Sequence, residues 1–245
     1  MVRERRLRWP IVRRFEAAIR GQLVRRVDRR AKYLLITLDG GTAIVHLGMS
    51  GSLRLLTAET PPRAHDHWDL VLDTGQVLRY HDPRRFGSLH WTEKDPLLHP
   101  LLSDLAPEPL SAEFNADYLY RATRKRSVAI KQLIMNSRIV VGVGNIYASE
   151  ALFRARVSPR RAARRLTRAE AGALVGAIQE VLAEAIGIGG TTLRDYVNAD
   201  GIPGYFAQRL FVYERAKQPC RVCASPIKQF TQGQRSSYWC PGCQR

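Results

Sequence analysis

Pro219-Cys220-Arg221-Val222-Cys223 and Cys240-Pro241-Gly242-Cys243 hold the only four cysteines of the sequence, and their spacing decides how the end of the chain folds. Sixteen residues separate the two Cys-x-x-Cys pairs. Each pair can bend around one side of a metal ion while the intervening residues form a hairpin, which is the pattern of a four-thiolate zinc ribbon. Pro219 and the Pro241-Gly242 dipeptide suit tight knuckles at the two ends. A segment this short buries little apolar surface, so the metal has to supply much of its folding energy. Two disulfides in a secreted protein are the alternative, but Cys-x-x-Cys pairs in an intracellular chain are more often metal sites. We therefore expect one structural Zn2+ on Cys220, Cys223, Cys240 and Cys243.

Nothing in the sequence resembles an export signal or a membrane anchor. After Met1-Val2-Arg3-Glu4-Arg5-Arg6 no apolar stretch of signal-peptide type follows. No apolar run reaches the ~18–20 residues needed to cross a bilayer. The expected location is the cytoplasm, with no membrane partner.

Charge is the second strong feature. The 245 residues carry 39 basic and 22 acidic side chains, a net charge of +17, and 33 of the basic residues are arginine. A basic excess of this size points to a polyanion, most simply nucleic acid. A GC-rich genome would explain arginine over lysine, but not the excess of base over acid. Membrane binding fits less well, because no long basic amphipathic helix with an aromatic face is present.

Working back from the ribbon, the pattern is helical and then β-rich. Thr167 and Glu170 form a capping box. Leu174, Val175, Ile178, Val181, Leu182 and Ile186 follow at helical spacing, and glycines from Gly187 stop the helix. Seven arginines and no acid lie between Arg154 and Arg168, either a solvated face or a DNA-facing edge. The proline-rich Leu105–Leu110 stretch reads as a domain boundary. Before it, Lys32–Leu38, the turn Asp39-Gly40-Gly41 and Thr42–Leu47 read as a hairpin, as do Trp68–Leu72 and Val77–Tyr80 around Asp73-Thr74-Gly75. Short strands with glycine turns suggest a sandwich or barrel. The expected class is α+β with several domains: a β-sandwich over residues 1–104, a helical domain over 105–209 and the ribbon over 210–245.

Three glycine-punctuated segments carry chemistry. Val141-Gly-Val-Gly-Asn145-Ile-Tyr147-Ala-Ser-Glu150 runs into a helix, where backbone amides can approach a phosphate; a structural turn explains it equally well, and the Lys-Ser/Thr ending of a Walker motif is missing. His46-Leu-Gly-Met49-Ser-Gly51 and Asp82-Pro-Arg84-Arg85-Phe86-Gly87 each place a long or flat side chain beside a sharp turn. From spacing alone Met49 and Phe86 belong to the core. The functional alternative is a wedge entering a duplex beside a displaced base.

These segments, taken in order with Arg29-Arg-Ala-Lys32-Tyr-Leu, His65-Asp-His67, Gly189-Gly-Thr-Thr-Leu193, Asp200-Gly-Ile-Pro-Gly-Tyr-Phe206 and the ribbon, resemble bacterial formamidopyrimidine-DNA glycosylases, the family that also holds endonuclease VIII. The resemblance runs from about Arg6 to the end of the chain. It implies a β-sandwich, a domain with a helix–two-turn–helix motif and the zinc ribbon, acting as a monomer on damaged double-stranded DNA and associating with the nucleoid when bound. It implies base excision repair: extrusion of an oxidised purine such as 8-oxoguanine or a ring-opened formamidopyrimidine, cleavage of its glycosidic bond, and β- then δ-elimination. Lys32 matches the lysine that assists elimination and contacts phosphate near the lesion. Met49, Arg84 and Phe86 match the trio that fills the vacated space, with Arg84 pairing to the orphaned base. His65, Arg126 and Asn145 match DNA-backbone contacts. Arg235 matches the arginine that grips the phosphate for δ-elimination. Residues Thr191 to Tyr205 match the segment that closes over the lesion.

The family begins with an exposed proline followed by glutamate, and the proline's secondary amine attacks the deoxyribose C1′ to form a Schiff base. This sequence starts Met1-Val2-Arg3. The register implies about 25–30 fewer residues at the start, one helix and most of a strand. A start codon assigned too late, or a fragment, is the simplest expected cause. The first chemical step is then in doubt for these 245 residues. Two readings compete with the oxidised-purine enzyme: a damaged-DNA-binding module without catalysis, and an endonuclease VIII-type glycosylase for oxidised pyrimidines. A ribosomal or transcription zinc-ribbon protein leaves Lys32, Arg84 to Phe86 and Val141 to Glu150 without a role.

Overall fold

A computed structural model describes residues 1–188 and 210–245. The chain divides into two compact units, the first built on residues 1–103 and the second on 104–188 together with 210–245. The division falls at the start of the proline-rich stretch, where proline removes backbone donors and discourages a continuing element.

In the first unit a short helix, α1 (Phe15–Ile19), precedes seven strands: β1 (Val24–Arg30), β2 (Tyr33–Leu38), β3 (Gly41–His46), β4 (Ser52–Thr57), β5 (Asp66–Val71), β6 (Gln76–His81) and β7 (Ser88–Thr92). They form two antiparallel sheets, one in the order β1-β2-β3-β7 and the other β4-β6-β5. Leu38 pairs with Gly41, so Asp39-Gly40 is the two-residue turn of the first expected hairpin. Gly41 has no room for a side chain, because a Cβ there would meet the Thr92 carbonyl at 2.4 Å. Inward residues of both sheets share one core: Ile36, Leu38, Ala43, Val45, Leu89 and Trp91 from the first, Trp68 and Tyr80 from the second. Trp68 and Tyr80 stack with centroids 5.2 Å apart. The architecture is the expected sandwich. Leu7, Ile11 and Phe15 also enter this core, which gives the irregular N-terminal stretch its fixed course.

The second unit contains α2 (Ala116–Thr123), α3 (Ile130–Ile134), α4 (Asn145–Arg154) and α5 (Arg168–Gly187). The capping box at Thr167 and Glu170 forms as the sequence predicts. Leu174, Val175, Ile178 and Leu182 of α5 pack with Leu119, Ile130, Ile134, Leu152 and other buried residues into a single core. The segment from Asn136 to Gly144 links α3 to α4 in two turns, and Gly142 takes φ +80°, open to glycine at no steric cost. Among the described residues no helix is long and apolar enough to cross a membrane.

The ribbon hairpin, β8 (Lys228–Gln232) and β9 (Arg235–Trp239), belongs to this second unit. Glu150, on α4 and 1% exposed, accepts hydrogen bonds from the Phe211, Val212 and Tyr213 amides at 2.8–2.9 Å. Burial lifts its pKa, against the three amides that lower it. Phe153 stacks on Phe211, and Gln244 Nε2 donates to the Val157 carbonyl at 2.9 Å. The chain entering the ribbon is thus tied to α4, and the last residues leaving it are tied to the segment just after α4. Truncating Glu150 would strand three amide donors in a dry site, each costing ~1–3 kcal/mol. Glu150→Ala should therefore lower the urea unfolding free energy by at least about 3 kcal/mol, measured by tryptophan fluorescence; a loss under about 1 kcal/mol would refute this anchoring role.

Candidate nucleic-acid interface and metal centre

In the first unit the two glycine-punctuated loops meet at a buried carboxylate. Asp82 is fully buried and accepts from Ser50 Oγ at 2.8 Å, Tyr80 Oη at 2.9 Å and the Gly87 amide at 2.8 Å. Its own amide donates to the His65 carbonyl at 3.0 Å, and its carbonyl lies 2.7 Å from His67 Nε2. Ser50 belongs to the first loop, Gly87 to the second, and His65 to a third. One side chain and its backbone therefore set the positions of all three. Burial, then Asp82, pushes the Tyr80 phenol far above its ordinary pKa, so the hydroxyl remains a donor. The loops are pressed together so closely that a Cβ at Gly48 would stand 2.7 Å from the Gly87 nitrogen, and one at Gly87 would stand 1.7 Å from Tyr80 Oη. Gly48 also needs φ +74°.

This packing throws Met49 and Phe86 outward. Met49 is 66% exposed and Phe86 44% exposed, so the core assignment suggested by spacing fails for both. Their neighbours Ser50 and Gly87 point to the inside and leave the apolar residues on the crest. The Arg84 guanidinium lies 4.8 Å from the Phe86 ring centroid, a cation–π contact that keeps a cation and a flat ring side by side. His65, with φ +70°, is exposed close by. Lys32 is exposed in the two-residue turn Ala31-Lys32 between β1 and β2, rather than at the start of a strand, and Ala31 takes φ +54° there. Burial, then Lys32 and Arg8, holds the His46 imidazole below its ordinary pKa. Its Nδ1 accepts the Gly48 amide at 2.9 Å, which fixes the neutral tautomer and the start of the Met49 loop.

In the second unit Arg235 stands exposed at the first position of β9, after the tip Gly233-Gln234. Two side chains of the helical part converge on the next residue. Asn145 Nδ2 donates to the Ser236 carbonyl at 3.0 Å, and Lys131 Nζ donates to the same carbonyl at 3.1 Å and to Ser237 Oγ at 2.7 Å. Lys131 is 2% exposed, and burial followed by Arg235 lowers its pKa to about 8. A cavity of about 160 Å³ lies beside it, lined by Lys131, Gln132, Asn136, Gly233 and Arg235 among others. Asn145, read from sequence as a DNA-backbone contact, thus also holds the hairpin that carries Arg235. Arg126 is exposed elsewhere in the unit, before α3. Sequence reasoning missed Lys131 and Glu150. A lysine within the apolar run Ile130-Lys131-Gln132-Leu133-Ile134 was the available signal for the first.

The four cysteine sulfurs lie within 4.8 Å of one another, and none forms a disulfide. Cys220 and Cys243 Sγ are 3.9 Å apart, and Cys223 and Cys240 Sγ 3.3 Å. A tetrahedral zinc with Zn–S bonds of ~2.3 Å sets its sulfurs ~3.8 Å apart, so the arrangement fits the ion. The Ser225 hydroxyl and amide pull the Cys223 thiol down to about 6, whereas burial pushes the Cys240 and Cys243 thiols up, so binding of the ion has to displace their protons. A Cβ on Gly242 would come within 2.9 Å of Cys223 Sγ, which explains the glycine in the second knuckle. Thr191 to Tyr205 and the Asp200–Phe206 motif lie outside the described residues.

A β-sandwich with an exposed apolar wedge, a two-turn helical motif and a four-cysteine ribbon define a zinc-finger DNA glycosylase. Comparisons with known proteins agree across the chain. Residues 1–89 match the formamidopyrimidine-DNA glycosylase N-terminal domain, 105–197 the helix–two-turn–helix domain of the same enzymes, and 217–245 the zinc finger they share with isoleucyl-tRNA synthetases. Formamidopyrimidine-DNA glycosylase of Thioalkalivibrio sulfidiphilus is 60% identical over 245 residues, covering all of this chain and 90% of that protein. The Stutzerimonas stutzeri protein of the same name is 54% identical with the same coverage. The crystal structure of the Thermus thermophilus MutM (Fpg) protein superposes with a TM-score of 0.86 at 42% identity, covering 94% of this chain and 86% of that one. The Lactococcus lactis Fpg in complex with abasic-site DNA gives 0.85 at 31% identity, with 92% and 83% covered. The chain belongs to the formamidopyrimidine-DNA glycosylase family, base excision repair enzymes with glycosylase and abasic-site lyase activity.

Because β9 carries both Cys240's approach to the metal and Arg235, loss of one thiolate should unseat the hairpin as well as the ion. Cys240→Ser should retain no zinc in elemental analysis and lose specific binding to abasic-site duplex. Unchanged affinity for that duplex would overturn the link between metal and DNA.

Proposed function

We propose that the protein acts on oxidised purines such as 8-oxoguanine and ring-opened formamidopyrimidines in duplex DNA, with strand nicking by β- then δ-elimination. The carrying observation is the exposed crest of Met49, Arg84 and Phe86 over the buried Asp82. A base leaves the stack only if something replaces its stacking, and an apolar wedge does this. In this reading Met49 and Phe86 occupy the vacated space, while Arg84 donates hydrogen bonds to the base left without a partner. His65, Arg126 and Asn145 hold the backbone, and Lys32 holds a phosphate near the lesion and assists elimination. Arg235 grips the phosphate of the extruded nucleotide and stabilises the charge that develops on it as the δ-step breaks the C–O bond. The Lactococcus lactis complexes with abasic-site and Fapy-dG DNA support this substrate class. Zinc, when bound, supplies no chemistry to the lesion; it fixes the hairpin.

The amine that attacks C1′ is not assigned to any of residues 1–245. Lys32 is a primary amine on an exposed turn and does not take that role efficiently. The reading further places the protein in the cytoplasm, on the nucleoid when bound, as a monomer.

Lesion binding tests the wedge. Met49→Ala and Phe86→Ala should each leave the melting temperature unchanged, since both side chains are exposed. Each should weaken binding to 8-oxoguanine duplex by ~1–3 kcal/mol relative to undamaged duplex, the worth of a lost stacking contact. Equal binding to damaged and undamaged duplex by the wild type would end the proposal. Borohydride trapping on abasic-site duplex should give little adduct with residues 1–245; a strong adduct lost in Lys32→Ala would make Lys32 the nucleophile.

A further inference from the structure

The arginine-rich stretch between α4 and α5 is not uniform. Arg154 pairs with Glu184 at 2.7 Å, Arg168 pairs with Asp117 at 2.9 Å, and Arg161 pairs with Glu170. Arg160 lies 4.0 Å over the Phe230 ring of the ribbon. Those four are structural. Arg156, Arg164 and Arg165 differ: all three are exposed, and none takes part in the ion pairs found among the described residues, but only Arg164 and Arg165 lie on the segment beside Arg126.

Their position is fixed by backbone. The Arg164 amide donates to the Arg126 carbonyl at 2.9 Å, the Ala163 amide to Val128 at 2.9 Å, and the Ile130 amide to Arg161 at 2.8 Å. Ala129 and Ala162 form an antiparallel bridge. The segment before α3 and the segment before α5 therefore run side by side. Arg124 adds a tie from its guanidinium to the Leu166 carbonyl at 2.5 Å. This brings Arg164 and Arg165 next to Arg126 on a rigid two-segment platform, with Lys125 exposed beside them. Glu150 is the only carboxylate in the sequence between Tyr118 and Ala169, and it is buried. Four cations are thus gathered with no acid among them.

We propose that Arg164 and Arg165 extend the phosphate-binding surface of Arg126, each neutralising one further phosphate of duplex DNA. This rests on the reading of the protein as a DNA glycosylase, and on Arg126 as its backbone contact. The contribution is electrostatic and indifferent to base identity and lesion, because it is made to phosphate alone. It raises affinity for damaged and undamaged duplex alike and leaves discrimination to the Met49–Arg84–Phe86 crest.

The test is the salt dependence of binding, by fluorescence anisotropy on abasic-site and undamaged duplexes. Each phosphate contact contributes ~0.9 to the slope of log K against log salt, so Arg164→Gln/Arg165→Gln should lower the slope by about 2 on both duplexes. The ratio of the two affinities should stay at the wild-type value. Arg25→Gln/Arg26→Gln removes the same charge from guanidiniums already paired to Asp39 and Asp28, and should change the slope by less than half a unit. Melting curves confirm that each variant is folded. A slope unchanged in the 164/165 variant, or lowered equally in the 25/26 control, would overturn the inference while leaving the glycosylase reading intact. A wild-type chain that binds neither duplex would overturn both.

Discussion

A carboxylate removed from water must find its hydrogen-bond donors inside the protein, and both halves of this fold are arranged around that demand. Asp82 collects donors from Ser50, Tyr80 and Gly87 in the sandwich. Glu150 collects three consecutive amides at the entrance to the ribbon. Neither can release its partners without leaving an uncompensated buried charge, which costs several kcal/mol. The loops that carry Met49 and Phe86 and the hairpin that carries Arg235 are therefore held in place from below by buried groups. Rigidity at the contact surface is a by-product of burial beneath it.

On the proposed function the two sites divide their work by chemistry. In the sandwich, exposed apolar surface is tolerated at Met49 and Phe86 because glycines 48 and 87 let the backbones beneath them close to van der Waals distance. In the second unit Arg126, Arg164, Arg165 and Arg235 are exposed cations, while Leu119, Ile130, Ile134 and Leu152 are buried with α5. Stacking replacement needs a dry, projecting side chain; backbone capture needs charge on a fixed platform.

The sequence made the hairpins, the capped α5 and the four-cysteine ribbon legible, because turn residues, helical period and Cys-x-x-Cys spacing are local signals. It misplaced what depends on long-range packing. Met49 and Phe86 read as core by spacing, and only the approach of two loops more than 30 residues apart turns them outward. Lys32 read as a strand start, although Arg30 pairs with Tyr33 and leaves it in a turn. Lys131 and Glu150 were invisible as anchors, since their partners lie 105 and 61 residues away. The seven arginines from Arg154 to Arg168 read as one face, but separate into paired, stacked and unpaired members once their neighbours are known.

The bonds from Lys131 and Asn145 to Ser236 bear on how such an enzyme can be taken apart or rebuilt. A zinc ribbon is usually thought of as a detachable module whose identity resides in its cysteines. Here the cysteines specify only the bend. The aim of the hairpin, meaning the direction in which its tip presents a guanidinium, is written in two helices more than 80 residues upstream. A ribbon grafted from this chain with its metal but without those helices would keep its shape and lose its bearing.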